Sequence, residues 1–452
     1  MYKKIDNMAY TNFIAAIDLG SSHIVGIVGT KNETGALSII AYEVENAGSC
    51  IRRGSVYNVT ETAFKIKNLI KKLENKLGGA KIGQVYVGLS GQSMRSIEHT
   101  VCKVLGTEGV VTDEIIQSLY KECKNYRPDL LTVLDVVDPS FYLDDKPESN
   151  PVGVPCSRIE ARYKLIVGRP SLRTNSVNGI SQQAKIDIAD LVVSPLALGD
   201  VVLSANEKDL GCALVDFGAG VTTVSVYKGG KLVNLTVIPL GSHLITKDIT
   251  HLKVVESEAE RLKVTYGSAK VDAENDMTIQ VNMADSVGLR EIKLTDLNHV
   301  IEARMNEILE NVYARIEATG LMNALGAGVV ITGGGAALKD LTTVMSERLK
   351  MEVRYSSVRK GVVASGDLMV ASNPEYAVAI GLLAKGTKNC AVYVAPEPEP
   401  VYDPEKGEEK PPKATTTDKP HKTKPGFFTR FSSSIDTLGK SLFDDEEISG
   451  QR

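Results

Sequence analysis

The 452-residue chain has no tryptophan, and only 5% of it is aromatic. Its six cysteines include no CxxC pair, and its six histidines show no HxxxH spacing. Dispersed single cysteines in a chain this long read as reduced core residues rather than disulfides or metal ligands. No stretch approaches the roughly 20 apolar residues that a spanning helix needs. The first residues, MYKKIDNMAYTNF, hold no apolar run of signal-peptide length. An excess of positive charge is missing too: 52 Lys and Arg stand against 56 Asp and Glu, for a net charge of -4. A nucleic-acid binder should show a basic stripe or a high pI, so that class is excluded. These absences predict a cytosolic protein without a structural metal.

What is present is a core-forming composition, 43% hydrophobic, over a length that at about 150 residues per domain implies two to four domains. Two residue types are unevenly placed. Of 17 prolines, eight lie between Pro396 and Pro425, and of eight phenylalanines, four lie between Phe427 and Phe443. A folded body is followed by a chemically different tail.

The body opens with a strand at 13–17 ending in Asp18-Leu19-Gly20-Ser21-Ser22, a second strand at 23–29, a turn and a third strand at 37–44. This pattern is a β-meander. An amphipathic helix at 59–77 and a buried strand at 85–89 follow. The same pattern recurs: a strand at 212–215 ends in Asp216-Phe217-Gly218-Ala219-Gly220, then come strands at 221–227 and 231–239. Asp18 aligns with Asp216 and Gly20 with Gly218, 198 residues apart, far longer than a solenoid period. Two homologous domains facing each other are expected. Between them lie a helix at 112–124 and strands at 133–142 and 159–167, then a helix at 171–187, a strand at 191–193 and a helix at 195–206. The second half continues with a helix at 254–266, a strand at 277–283, and a long helix at 295–320 with Thr295 as N-cap. A strand at 328–332 runs into Gly333-Gly334-Gly335, and a small-residue helix spans 374–385. The body is expected to end near Tyr393.

Three glycine-bearing turns each follow a strand, and such turns let backbone N–H groups approach phosphate oxygens. Ser21 and Ser22 add hydroxyls to the first, and Thr222 and Thr223 to the second. Asp18 and Asp216 sit at strand ends and can hold Mg²⁺ through its waters. The third loop, Gly333 to Gly335, lets a purine lie flat against backbone. A single DxG turn is usually only a tight turn; the pairing of two with a later GGG turn points to nucleotide.

These loops match the phosphate and adenosine signatures of the actin, heat-shock chaperone and hexokinase superfamily. Within it, residues 11 to 390 resemble the FtsA family of bacterial cell-division proteins. The likeness rests on Val133-Leu134-Asp135-Val136-Val137 with Asn150-Pro151-Val152-Gly153, on Arg158-Ile159-Glu160-Ala161, on Val300-Ile301-Glu302-Ala303-Arg304, and on Val330-Ile331-Thr332-Gly333-Gly334-Gly335-Ala336. The resemblance implies an α/β, actin-like two-domain fold of duplicated ribonuclease-H-like meanders with ATP and Mg²⁺ in the central cleft. It implies domain 1A at 11–92 and 175–206, interrupted by a 1C-type subdomain at 93–174. Domain 2A would occupy 207–241 and 321–394, with subdomain 2B at 242–320. By matching position, Asp18, Gly20, Ser21 and Ser22 form the first phosphate loop, Asp216, Gly218, Gly220 and Thr222 the second, and Gly333, Gly334 and Gly335 the adenosine loop. Glu260 and Lys263 match a helix that contacts ribose and adenine; their plainer reading is an i,i+3 pair on a solvated face. ATPases of the superfamily orient the attacking water from the helix before the second phosphate loop. Asp200 is the one candidate on that helix here, and its plainer reading is a surface polar group. Slow or negligible hydrolysis is therefore expected.

Residues 395–425 carry eight Pro, seven acidic residues and six Lys, a composition that reads as a disordered linker. Beyond it, at 426–443, Phe427, Phe428, Phe431, Ile435, Leu438 and Leu442 fall within an arc of about 100° of a helix. Arg430 and Lys440 flank that face with positive charge. An interfacial membrane helix is expected, and the family carries one at this place; the plainer reading is a helix that folds back onto the body. The acidic run 444–447 would be repelled by anionic lipid. One such helix binds weakly, so stable attachment needs many copies. The resemblance thus implies a self-associating, filament-forming adaptor at the division site, peripheral on the cytoplasmic face of the inner membrane. Its partners would be the FtsZ C-terminal tail, received by 2B, and other division proteins. The alternatives are another actin-like scaffold of shape or pilus-assembly type, and a small-molecule kinase of the superfamily.

Overall fold

A computed structural model describes residues 11–106, 109–275, 277–282, 289–366, 370 and 372–392. The chain divides into two compact units, Met1–Tyr393 and Val394–Arg452. All described residues belong to the first, so the linker and helix expected at 395–443 lie outside them.

The chain begins with β1 (Ile14–Leu19), β2 (His23–Lys31) and β3 (Leu37–Asn46), paired antiparallel in that order. A small hairpin, β4 (Ile51–Arg52) and β5 (Ser55–Val56), leads to α1 (Val59–Lys76). Asn58 starts α1 by accepting the Glu61 N–H, a side-chain cap that satisfies an orphan helix donor. The helix buries Ala63, Ile66, Leu69, Ile70 and Leu73 on the meander. It lies so close that a Cβ on Gly26 would stand 2.8 Å from Leu73 Cδ1. β6 (Gln84–Leu89) then returns parallel to β1.

The insertion consists of β7 (Arg95–Val104), α2 (Asp113–Asn125), β8 (Thr132–Leu143), β9 (Lys146–Glu148) and β10 (Arg158–Gly168). Thr112 caps α2 through the Ile115 N–H. β7 is absent from the sequence-based expectation; its mostly exposed, mixed sequence RSIEHTVCKV becomes a strand by pairing with β10 from Arg158↔Val104 to Val167↔Arg95.

After the insertion, α3 (Ser171–Val177) continues as a π-helical stretch, Asn178–Ala184, and stops at Lys185 in left-handed conformation (φ 62°). β11 (Asp187–Val193) follows, parallel to β6. The helix expected to run to 187 thus ends earlier, and the strand starts four residues sooner than expected. The helix expected at 195–206 is two: α4 (Ser194–Val202) and α5 (Ala205–Leu210). Ser204 divides them, because its hydroxyl accepts the Glu207 N–H while Glu207 reaches back to the Ser204 N–H, a capping box.

The second half repeats the first. β12 (Cys212–Phe217), β13 (Thr222–Lys228) and β14 (Lys231–Ile238) form the meander. α6 (Ser242–Ile249), α7 (Glu256–Tyr266), the hairpin β15 (Thr278–Asn282) and β16 (Leu289–Lys293), and α8 (Leu294–Glu317) follow. α8 starts one residue before Thr295, which is therefore not its cap; the position before it is Lys293, with no side-chain hydrogen bond. β17 (Val329–Thr332), α9 (Leu341–Leu349), β18 (Val353–Tyr355), β19 (Val363–Ser365) and α10 (Ala377–Lys385) complete the unit. One sheet contains β11-β6-β1-β2-β3, with β19 at its edge beside β3, and the other contains β18-β17-β12-β13-β14. The two orders are the same topology written twice.

Each half has its own core, and a third cluster joins them: Leu89 and Val193 of the first sheet meet Leu214 and Val330 of the second, with Leu198 and Val201 of α4 and Ala377 of α10 between. α4 and α10 cross at backbone contact, since a Cβ on Gly381 would lie 2.4 Å from the Ala197 carbonyl oxygen. Lys31 holds the end of α10 by donating to the Ala384 and Gly386 carbonyls at 2.5 and 2.6 Å. The cysteines are free; all are buried except Cys102, which is exposed and so departs from the expected core placement. Gly381→Ala should part α4 from α10 and cost about 1–3 kcal/mol of stability through overpacking. Urea denaturation checks this, and an unchanged midpoint would contradict the close crossing.

Candidate functional site

The repeat brings three glycine loops together. In β1 and β12 the fifth residue is an aspartate, and the last residue pairs the first or second residue of the next strand: Leu19↔Ile24 and Phe217↔Thr222. The same number of loop residues therefore separates each pair. A Cβ on Gly20 would lie 2.6 Å from the His23 carbonyl oxygen, and one on Gly218 would lie 2.9 Å from that of Val221. Both turns are too tight for a side chain.

The loops also touch each other. A Cβ on Gly220 would fall 2.4 Å from Ser21 Oγ, joining the first loop to the second. Gly333 adopts φ 83°, where a side chain is strained, and its Cβ would fall 2.3 Å from Asp216 Oδ1. That joins the second loop to the third. Gly335 approaches the Phe217 carbonyl and Ser242, at 2.9 and 3.1 Å from its would-be Cβ.

Asp18 and Asp216 sit where the loops converge. Burial pushes the Asp18 carboxyl up to about 7, helped by the charge of Asp216, and burial pushes Asp216 up to about 6. Three buried hydroxyls on neighbouring elements have no protein partner. Ser194 Oγ lies 2.5 Å and Asp18 Oδ1 3.3 Å from the point where a Cβ on Gly88 would stand. Thr332 pairs with Asp216 across β12 and β17, and Ser356 follows β18 alongside. Ser194 Oγ, Thr332 Oγ1 and Ser356 Oγ have no hydrogen-bond partner. Buried hydroxyls need partners, and two buried carboxylates that interact with each other fit a hydrated dication. Mg²⁺ keeps several waters and is often held by one or two carboxylates plus substrate phosphates. Among the described residues no group of three or more His, Cys, Asp or Glu side chains converges, so further ligands would come from water and phosphate.

The remaining residues divide. Ser21 Oγ accepts the Gly54 N–H at 2.9 Å, and Ser22 is exposed at the loop tip. Thr222, read as a phosphate contact, is fully buried and donates to the Leu240 carbonyl at 2.8 Å, so its hydroxyl holds the second loop instead. Lys263 Nζ reaches Glu260 at 2.7 Å and Thr246 at 2.8 Å, and Thr246 donates to Glu260 at 2.5 Å. Burial would raise the Glu260 carboxyl, but these hydrogen bonds outweigh it and hold it below its ordinary value. Lys263 also approaches the Ser242 carbonyl at 3.4 Å, which brings this pair beside the third loop. Asp200, the candidate for orienting water, sits in an ion-pair hub. It is clamped by Lys208 at 2.7 Å and Lys385 at 2.6 Å, while its carbonyl accepts from Arg359. Those hydrogen bonds outweigh burial and hold its carboxyl low, which suits an ion-pair hub across α4, α5 and α10 and not a proton acceptor.

Sequence reasoning missed Gly88, Ser194 and the Arg53-Gly54 turn. Gly88, inside a strand, and Arg-Gly between short strands both carried a usable signal; Ser194 carried none.

The raised carboxyls set a pH dependence. Above the ordinary aspartate value of 3.8, the folded state keeps protons that the unfolded chain has released. Their contribution to stability is therefore present at low pH and lost as pH rises toward 7. Asp18→Asn should stabilise the nucleotide-free protein above pH 7 by on the order of 2 kcal/mol and flatten the fall below it. Denaturant midpoints measured across pH test this, and an equal fall in wild type and variant would contradict it.

Comparison with known proteins agrees with the geometry. A family model described as "Cell division protein FtsA" matches residues 213–381. The chain is 36% identical to the cell division protein FtsA of Porphyromonas gingivalis over 84% of this chain and 79% of that one. It is 29% identical to FtsA of Bacillus subtilis over 83% of this chain and 84% of the other. Among solved structures, a chain of a PilM–PilN type IV pilus biogenesis complex superposes with a TM-score of 0.58 at 16% identity, covering 82% of this chain and 97% of that one. That likeness concerns the fold, which is actin-like. No helix among the described residues is long and apolar enough to cross a membrane. With 36% identity to one member over most of both lengths, and the duplicated meander in place, the chain belongs to the FtsA family of cell-division proteins.

Proposed function

We propose that the cleft binds ATP with a hydrated Mg²⁺, and that the protein is a self-associating adaptor that tethers the FtsZ ring to the cytoplasmic membrane. The observation that carries the nucleotide part is the convergence of the three glycine loops on Asp18 and Asp216, with Ser21, Gly220 and Gly333 in contact range. Asp18 and Asp216 would hold the cation through water. Backbone N–H groups of both turns would meet the phosphates, and Gly333 to Gly335 would carry the adenosine, with Glu260 and Lys263 at its edge. Asp200 is engaged by two lysines, so bound ATP acts as a conformational ligand more than as fuel, with slow turnover.

The domain assignment belongs to the same proposal: 1A at 11–92 and 175–206, 1C at 93–174, 2A at 207–241 and 321–394, and 2B at 242–320 as the receiver of the FtsZ tail. Residues 426–443 form the membrane helix, with Phe427, Phe428, Phe431, Ile435, Leu438 and Leu442 inserted and Arg430 and Lys440 at the headgroups. Filament formation supplies the many copies that make weak single anchors hold.

Liposome co-sedimentation, with and without ATP and an FtsZ tail peptide, tests the whole reading when the full chain is compared with one stopped at Ala395. The full chain should pellet with vesicles and carry the peptide down. The shortened chain, and Phe428→Glu with Phe431→Glu, should bind peptide but stay in solution. Pelleting that ignores both changes would end the anchor reading. Gly333→Val should lower ATP affinity by about tenfold or more, since its side chain would collide with Asp216; calorimetric titration on a protein with unchanged circular dichroism reads this out.

A further inference from the structure

An open pocket of about 460 Å³ is lined in part by the hairpin of β4 and β5, and no residue of the three glycine loops lines it. Arg52, Arg53, Ser55, Val56, Tyr57, Gln92, Ser171 and Asn175 line it. The lining contains two guanidinium groups and several neutral hydrogen-bonding side chains, and no carboxylate. Among the described residues neither arginine forms an ion pair. Arg52 stacks on the Tyr57 ring at 3.8 Å from its centroid, and Arg53 donates to Gln92 Oε1 at 3.0 Å. Both cations thus rest on neutral partners, in a protein whose net charge is -4. Asn175 braces the wall by donating to the Val56 carbonyl at 2.9 Å.

The roof of this cavity is also a wall of the phosphate loops. Arg53 and Gly54 form the hairpin tip, with φ of 48° and 75°. The Gly54 N–H donates to Ser21 Oγ at 2.9 Å, and the Arg53 Cα stands 3.1 Å from the would-be Cβ of Gly220. Whatever orders these arginines acts on a turn whose backbone touches both loops.

We propose that this cavity is a second anion site, for a small phosphate-bearing molecule, coupled through the Arg53-Gly54 turn to the nucleotide cleft. Paired guanidinium groups with amide and hydroxyl donors around them suit phosphate oxygens, which accept several charge-assisted hydrogen bonds at once. The volume suits a phosphate group with a short substituent. Coupling is reciprocal by linkage: an anion that changes ATP affinity must have its own affinity changed by the same factor. The coupling, though not the site, rests on the reading of the cleft as an ATP site.

The test is calorimetric titration of inorganic pyrophosphate, and separately of glycerol 3-phosphate as a soluble lipid headgroup, into the full chain saturated with Mg²⁺ and AMP-PNP. One saturable site is expected. Arg52→Gln, at an exposed side chain that stacks on Tyr57, should weaken it by about tenfold and leave AMP-PNP affinity unchanged when no anion is present. A preference for pyrophosphate assigns the site to free phosphate compounds, and a preference for glycerol 3-phosphate assigns it to headgroups. Binding of neither, or binding indifferent to Arg52→Gln and Arg53→Gln alike, overturns the site. If AMP-PNP itself fails to bind, the reading of the cleft falls, while the sensitivity of pyrophosphate binding to the two arginine changes still decides the cavity. Equal pyrophosphate affinity with and without AMP-PNP, at an arginine-dependent site, overturns the coupling alone.

Discussion

Asp18 and Asp216 are brought to the ends of two separate strands and buried near each other, so that neither ionises as readily as it would in water. Most of the surrounding architecture follows from accommodating that pair. Each aspartate needs a strand to carry it in, a tight turn to leave room in front of it, and a parallel strand beside it to close the flank. The two sheets supply this set twice, with β6 beside β1 and β17 beside β12. The apolar cluster under α4 and α10 fixes the distance between the two sets. A cleft built this way stores unfavourable charge that a cation can relieve.

Much of this could be read from the residues, because it is local. A strand ending in Asp-x-Gly, a meander and a helix with one apolar face are patterns of neighbouring positions, and Asp18, Gly20, Asp216, Gly218 and Gly333 were legible for that reason. The features that were not legible depend on distant partners or on competition between local signals. β7 alternates only loosely and becomes a strand through β10, more than fifty positions later. The 171–184 helix looks uninterrupted in sequence, yet it loosens into a π-helical stretch before Lys185 stops it. Ser204 resembles any helical polar residue until Glu207 completes the capping box. Thr222 belongs to a motif that suggested a ligand contact, but tertiary packing gave its hydroxyl to Leu240. Asp200 shows the same limit: its lysine partners come from α5 and α10, and only the fold brings them together.

Glycines in this protein mark places where backbones meet as much as places where the chain turns. Gly381 lets α4 and α10 touch, Gly26 lets α1 lie on β2, and Gly220 lets two loops share a boundary. These are contacts between different elements, so each ties one layer to the next. The loops are consequently part of the packed body, not ornaments on its surface.

The insertion interrupts the first half in sequence but bonds to the second half in space. β14 pairs with β7 at Thr236↔Arg95, and the Leu235 N–H donates to Ser96 Oγ at 2.8 Å. β14 would otherwise be the outer strand of its sheet, and an open strand edge is a template for pairing with other chains. Part of the insertion's value is therefore protective. Excising it would remove a lobe and also free the β14 edge around Leu235 and Thr236 on the neighbouring half, where another strand could pair.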